Sequence, residues 1–221
     1  MSTIITIAQQ KGGAGKTTIA AHIALALAQT GRSVAIIDID PQGSLTNWYR
    51  IREKKFGEGF AGLNFNSSQG WRIETAISNL KNKFDFIVID SPPHTETESK
   101  SAIRVADMVI IPMQPSPTDL WATESTINFA NSEGKLARVL LNRFNPLSKI
   151  NKDILAQIPG VKFKNYIGNR VAFSTCFLNG LTVLETQPKS QAAIEVKAVI
   201  KEVLSQLEPK AKKENKVSQE A

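Results

Sequence analysis

The residue pattern predicts an α/β protein: a doubly wound, mainly parallel sheet flanked by helices. Short apolar, β-branched runs alternate with helix-period segments along most of the chain, and the first run leads through a glycine-rich turn into a helix. In order, the runs place strands at 4–8 (Ile-Ile-Thr-Ile-Ala), 34–38 (Val-Ala-Ile-Ile-Asp), 63–65, 84–90, 108–113 and 137–142, with a weaker strand at 165–168. Helices fall between them at 17–29, 44–54, 71–79, 99–105, 119–132 and 149–157. A last helix spans 190–207, because Val196, Val199, Ile200, Val203 and Leu207 repeat at helical spacing while Lys197, Lys201 and Glu202 fall on the other face. Pro209 is expected to end it, leaving 1–208 as one domain and 209–221 as a disordered basic tail with almost no apolar content.

Bulk properties narrow the class. The 221 residues suffice for one sizeable core, and no apolar run approaches the roughly 18 residues needed to cross a bilayer. A single cysteine, Cys176, excludes an intrachain disulfide and reads as a small buried hydrophobe. With no leader-like N-terminus, these features point to the cytoplasm. The net charge of +7 permits contact with nucleic acid or another anionic surface. The tail from Lys210 onward supplies only +2 of it, so the body is basic too.

The chemistry starts at Gln9-Gln10-Lys11-Gly12-Gly13-Ala14-Gly15-Lys16-Thr17-Thr18. A glycine-rich turn between strand and helix lets backbone N–H groups wrap phosphate oxygens at the positive end of a helix dipole. Lys16 is placed to reach the outer phosphates and the Thr17 hydroxyl to ligate Mg²⁺. Asp90 ends the apolar run Phe-Ile-Val-Ile and suits a Mg²⁺-supporting carboxylate. Asp38-Ile-Asp40-Pro41 also ends a strand, where ligands bind in open α/β sheets; taken alone it would equally suit a helix cap and a turn.

Gln10 stands where the ordinary phosphate loop has glycine, and Lys11 follows it. Lys-Gly-Gly-x-Gly-Lys-Thr-Thr resembles the deviant phosphate loop of the ParA/MinD family of ATPases, and the likeness extends from Ser2 to about Leu207. Asp40-Pro-Gln-Gly-Ser-Leu-Thr-Asn-Trp48, Arg170-Val-Ala-Phe173 and Gly180-Leu-Thr-Val-Leu-Glu185 resemble the small, ParF-like partition ATPases.

The resemblance implies an ATP- and Mg²⁺-dependent ATPase with a nucleotide site from Lys11 to Thr18 and Lys11, Lys16 and Asp40 as catalytic residues. In its terms, Lys11 crosses to the nucleotide of the other subunit in an ATP-bound homodimer. Asp40 orients or deprotonates the attacking water, Asp38 lies near the metal shell, and Asn142 faces adenine. The stretch 90–97 corresponds to a second switch; His94 inside it reads as a polar loop residue. The proline-dense stretch 111–119 either borders nucleotide and partner or is a stiff loop in which Asp119 caps the next helix.

The resemblance further implies non-specific DNA binding, with Arg170, Lys189, Lys197 and Lys201 as candidate contacts. Slow hydrolysis would be stimulated by a centromere-binding or cargo adaptor protein, and the chain would be nucleoid-associated. Only ten residues precede Lys11, so the helix-turn-helix of longer relatives is not expected. Two other readings compete. A MinD-like membrane ATPase would need an amphipathic C-terminal segment, and after Leu207 only Val217 and a few alanines are apolar. A dethiobiotin-synthetase-like ligase is disfavoured by Lys11 and the Asp-Pro-Gln-Gly stretch. Paired cysteines for an iron–sulfur carrier and a tyrosine-rich tail for an autokinase are both missing.

Overall fold

The computed structural model describes residues 1–57, 59, 62–93, 96–158 and 161–217. Its strands are β1 (Thr3–Ile7), β2 (Val34–Asp38), β3 (Asn64–Ser67), β4 (Phe86–Asp90), β5 (Met108–Met113) and β6 (Leu136–Leu141). They form one sheet in the order β3-β2-β4-β1-β5-β6, and every neighbouring pair is parallel. The helices are α1 (Lys16–Gln29), α2 (Ser44–Phe56), α3 (Ile73–Leu80), α4 (Glu96–Val105), α5 (Pro117–Ser132), α6 (Lys149–Gln157), α7 (Val171–Leu178), α8 (Val183–Thr186) and α9 (Gln191–Val217).

Both faces of the sheet are covered, which is why its strands read as unbroken apolar runs rather than as alternation. Successive strand residues point to opposite sides. Ile5, Ile7, Ile36, Val88 and Ile110 pack with Ile23 and Leu27 of α1 and Val196, Val199 and Val203 of α9. On the reverse face Ile4, Ile37, Ile87 and Ile89 meet Ile73 and Ile77 of α3, while Val109, Ile111 and Val139 meet Leu120 and Ile127 of α5. Helix α1 is buried nearly all round from Ile19 to Leu27, because the sheet covers one side of it and α9 the other. That buried position holds the start of α1, and so the glycine-rich loop, in a fixed place.

Helices α7 and α8 were not expected, and three of the expected elements take a different form. The segment at 165–168 forms only isolated parallel bridges nearby, Phe144 to Gly168 and Val139 to Lys162. The helix expected from 71 opens as a 3-10 turn, Gly70–Arg72, before α3 begins. The backbone of α9 stays helical through Pro209 to Val217, where the sequence reading had ended it. Pro209 removes one N–H from the ladder, but the alanine, lysine and glutamate that follow are good helix formers.

Candidate nucleotide-binding site

The parallel register lines up the strand ends that matter. Ile7 of β1 stands opposite Asp90 of β4, and Asp90 stands opposite Asp38 of β2. The glycine-rich loop therefore leaves the sheet beside two carboxylates, at the C-terminal edge where open α/β sheets bind ligands.

Two glycines in this loop occupy the left-handed region, Gly13 at φ 76° and Gly15 at φ 93°. At Gly15 there is a second constraint, since a Cβ would run into the Asn142 carboxamide. The loop is gripped from both sides: Gln114 Nε2 donates to Gly13 O at 2.7 Å, and Asn142 Nδ2 donates to Ala14 O at 2.8 Å. Ile19 N donates to Gly15 O at 3.0 Å, which winds the first turn of α1 directly out of the loop. Thr17 and Thr18 lie half-buried in that turn.

The two lysines have different surroundings. Lys16 is buried, with Nζ 3.4 Å from the carbonyl of Lys11. Burial holds its ammonium below the usual lysine range, against the opposing pull of Asp90 and Asp40. Lys11 is more open and turns toward α5, where Nζ donates to Thr118 Oγ1 at 2.9 Å and pairs with the buried Asp119 carboxylate. The expected cap at Asp119 belongs instead to Ser116, whose Oγ accepts from Asp119 N at 3.2 Å with Pro117 next in the helix. The proline-dense loop thus touches the phosphate loop through Gln114 and holds Lys11 within its own subunit.

The three aspartates also differ. Asp90 is fully buried, and neither carboxylate oxygen has a hydrogen-bond partner among the described residues. Burial pushes its carboxyl up to about 8; the Thr17 hydroxyl and Lys16 pull it back, while Asp38 and Asp40 raise it further. A buried carboxylate with free oxygens beside a threonine hydroxyl and an ammonium suits an oxygen-ligated divalent cation, so Thr17 and Asp90 fit a Mg²⁺ site.

Asp38 is already occupied. It accepts from Asp40 N at 3.0 Å, Thr46 N at 2.8 Å and Thr46 Oγ1 at 2.6 Å, tying β2 to the start of α2. Burial raises its carboxyl from the usual range despite those bonds. Half-buried Asp40 accepts from Gln42 N at 2.9 Å, forming a tight turn that leaves it at the mouth of the site.

Beyond the loop, Gly15, Thr18, Asn142, Gly168, Arg170 and Phe173 line a cavity of about 200 Å³. Asn142 places its carboxamide there, with Oδ1 accepting from Arg143 N at 3.0 Å. Arg170, a candidate DNA contact, is exposed, stands at the wall of this cavity and pairs with Glu195 of α9 at 2.6 Å.

His22 and Glu195 were not legible from sequence as parts of this site. His22 is buried, with Nδ1 donating to Thr18 O at 2.8 Å and Nε2 accepting from Val183 N at 3.1 Å. Its ring meets Phe173 edge-on at 5.0 Å. Burial lowers its imidazole to about 4, so it is neutral and links α1 to the cavity wall. Cys176 Sγ lies 3.7 Å from Nε2, inside the core as expected. The motifs at 40–48 and 180–185 meet one another: Trp48 Nε1 donates to Leu181 O at 3.2 Å and Arg52 pairs with Glu185 at 2.8 Å.

Lys189, Lys197 and Lys201 are exposed and away from the cavity, with the last two on one face of α9. Lys197 Nζ donates to Pro188 O at 3.1 Å. His94 lies outside the described residues. Among the described residues no helix is long and apolar enough to cross a membrane.

The chain is similar to known proteins. Residues 5–183 match the CobQ/CobB/MinD/ParA nucleotide binding domain family. The chain is 30% identical over 213 residues to the maintenance of carboxysome distribution protein A of Halothiobacillus neapolitanus, covering 90% of this chain and 95% of that one. It is 25% identical to the sporulation initiation inhibitor protein Soj of Bacillus subtilis, across 92% of this chain and 98% of Soj. In three dimensions it resembles a putative plasmid partition protein of Borrelia burgdorferi solved with AMPPNP, at TM-score 0.78 and 22% identity, covering 94% of this chain and all of that one. That likeness is one of fold. Together with the loop, the matched span leads to one conclusion: the chain belongs to the CobQ/CobB/MinD/ParA family of nucleotide-binding domains.

Proposed function

We propose that this protein is a ParA-type ATPase that closes as an ATP-bound homodimer, binds DNA without sequence preference and positions a cargo through an adaptor protein. The observation that carries this reading is the second lysine of the phosphate loop. Lys16 already supplies a buried cation within the subunit, whereas Lys11 stands at the rim, where its ammonium meets the side chains of Thr118 and Asp119 of its own α5. A rim cation of this kind can exchange its partner for phosphates presented by a second subunit. Relatives named for carboxysome distribution and for sporulation and chromosome partitioning support the positioning role. Membership of the small, ParF-like subgroup is a finer proposal, resting on the motifs at 40–48 and 180–185 and their mutual contact.

Backbone N–H groups from Gly12 to Thr18 would cradle the phosphates, and Asn142 would face the base. Thr17 and Asp90 would hold Mg²⁺, which supplies charge neutralisation at the phosphate oxygens. Asp40, at the mouth, would orient the attacking water; Asp38 keeps Asp40 and α2 in place through its bonds to Asp40 N and Thr46. Hydrolysis of this kind is mostly positioning and charge stabilisation, and a cation supplied in trans is worth about 10³ to 10⁵ in rate in GTPases. The DNA face rests on Lys189, Lys197 and Lys201, because Glu195 takes up the charge of Arg170.

Lys11→Ala tests the reading. It is expected to keep ATP affinity while losing both ATP-dependent dimerisation in light scattering and stimulated phosphate release. Normal dimerisation and turnover by Lys11→Ala would show that the cross-subunit role is wrong. Phosphate release driven by a small-molecule acceptor, without DNA or protein, would favour a ligase instead.

A further inference from the structure

The C-terminal helix reaches into the nucleotide site through one buried carboxylate. Glu195 lies in the second turn of α9 and is only 7% exposed, although its helix neighbours Val196, Val199 and Ile200 pack into the core. Its side chain leaves that core to meet the segment between β6 and α7. Oε2 accepts from Gly168 N at 3.0 Å and from Arg170 Nε at 3.1 Å, while Oε1 accepts from Arg170 Nη2 at 2.6 Å.

Two helix turns further along, Glu202 does the same for the beginning of the segment. It accepts from Lys164 N at 2.9 Å and from Asn165 N at 3.1 Å. Seven residues apart, the two carboxylates lie near one face of α9, and they take up backbone N–H groups that no strand pairing satisfies. This is why 165–168 looks extended in sequence yet pairs with the sheet only at isolated bridges.

Gly168 and Arg170 are walls of the cavity that opens beside Gly15, Thr18 and Asn142. The packing there is close: a Cβ on Gly168 would sit 3.2 Å from the Arg170 guanidinium and 3.3 Å from Glu195 Oε1. Backbone bonds anchor the wall at Ile167, whose N–H donates to Leu141 O at 2.9 Å and whose carbonyl accepts from Phe144 N at 3.0 Å. Past Ile167 the support comes from a charged fork on α9, and planar bidentate geometry fixes the guanidinium in orientation as well as in distance.

We propose that Glu195 is a positioning residue for the base of the bound nucleotide, holding the Gly168 amide and the Arg170 guanidinium where they shape the cavity beside Asn142. The proposal rests on the nucleotide reading of the site. The hydrogen bonds Glu195 accepts come from Gly168 and Arg170, on the side of the cavity that carries Asn142, which is why the base and not the phosphates is assigned to it. Glutamine is the informative replacement. It keeps the shape but turns one oxygen into a donor facing donors, which removes the countercharge and one arm of the fork from the guanidinium.

The test is isothermal titration of the full chain with ATP and, separately, with inorganic tripolyphosphate, which fills the loop but has no base. Glu195→Gln is expected to weaken ATP by about tenfold, the scale of one charge-assisted hydrogen bond, and to leave tripolyphosphate unchanged. Glu195→Asp should fall between Glu195→Gln and the wild type. Equal weakening of both probes would mean that Glu195 only supports the fold, and no change in either would mean that the wall needs no support; both results overturn the proposal. If Glu195→Gln does not fold, Arg170→Gln replaces it, since that side chain is 37% exposed and lies at the rim. Loss of ATP affinity alone then supports the proposal, and any other pattern overturns it. A wild type that binds neither probe overturns the nucleotide reading, and the proposal with it.

Discussion

His22 ties the fold's stability to pH in a direction that its hydrogen bonds determine. The carbonyl of Thr18 can only accept and the N–H of Val183 can only donate, so the ring carries its proton on Nδ1 and offers a bare Nε2. Protonation would break the Val183 bond and place a charge in the core. Burial accordingly lowers the imidazole from 6.5 to about 4. Between those values the unfolded chain binds the proton and the folded chain does not. The stabilisation is complete above about pH 6.5 and is lost as pH falls toward about 4. The full gap corresponds to about 3 kcal/mol, and about 2 kcal/mol of it should be gone by about pH 5.

Urea unfolding of wild type and His22→Gln at a series of pH values isolates this contribution, because every other titrating group is shared. The variant is expected to be less stable near neutrality and to lose less as the solution is acidified. Because the folded ring stays neutral down to about pH 4, nucleotide affinity of the folded wild type should not follow this window. Stability curves that run parallel within about 0.5 kcal/mol would refute the reasoning.

Gly15→Ala should weaken ATP binding by at least about tenfold in isothermal titration, from the left-handed φ of 93° and the encounter with Asn142. Unchanged affinity would mean that the loop does not need this turn. Asp90→Asn should raise the melting temperature of the nucleotide-free protein near pH 8, because a carboxyl raised from 3.8 to about 8 costs stability progressively as pH rises through that interval. The same variant should lose Mg²⁺-dependent turnover; equal melting temperatures together with intact turnover would remove Asp90 from the metal site. Replacing Lys189, Lys197 and Lys201 together by alanine should flatten the salt dependence of DNA binding by roughly 0.9 in log–log slope per lost phosphate contact. Retained slope would move the DNA face elsewhere, and truncation after Pro209 checks the tail lysines.

The legible parts of the chain were those in which local signals agreed. Strand, glycine turn and Gly15-Lys16-Thr17-Thr18 sit consecutively, so the loop and α1 could be read directly, as could Asp90 at the end of an apolar run. Helix α7 was missed because Val-Ala-Phe-Ser-Thr-Cys-Phe-Leu has no polar face. Val171 and Leu178 lie exposed at its ends while Phe173 and Cys176 are buried, so apolar residues mark no single side.

What stayed hidden depends on partners distant in sequence. The bonds of Thr46 to Asp38, which the sequence places near the metal shell, and the pairing of Arg170 with Glu195 of α9 both join residues that no local pattern links. Lys11 signalled its special position, but the buried Asp119 that holds it in the isolated subunit could not be foreseen.

DNA cosedimentation at several salt concentrations, with ATP, ADP or no nucleotide, tests the central claim most directly when wild type and Lys11→Ala are compared. A nucleotide-switched dimer should bind DNA with ATP alone, lose it as salt rises, and lose it altogether in Lys11→Ala. Binding that ignores nucleotide, or that survives the loss of Lys11, would contradict the account.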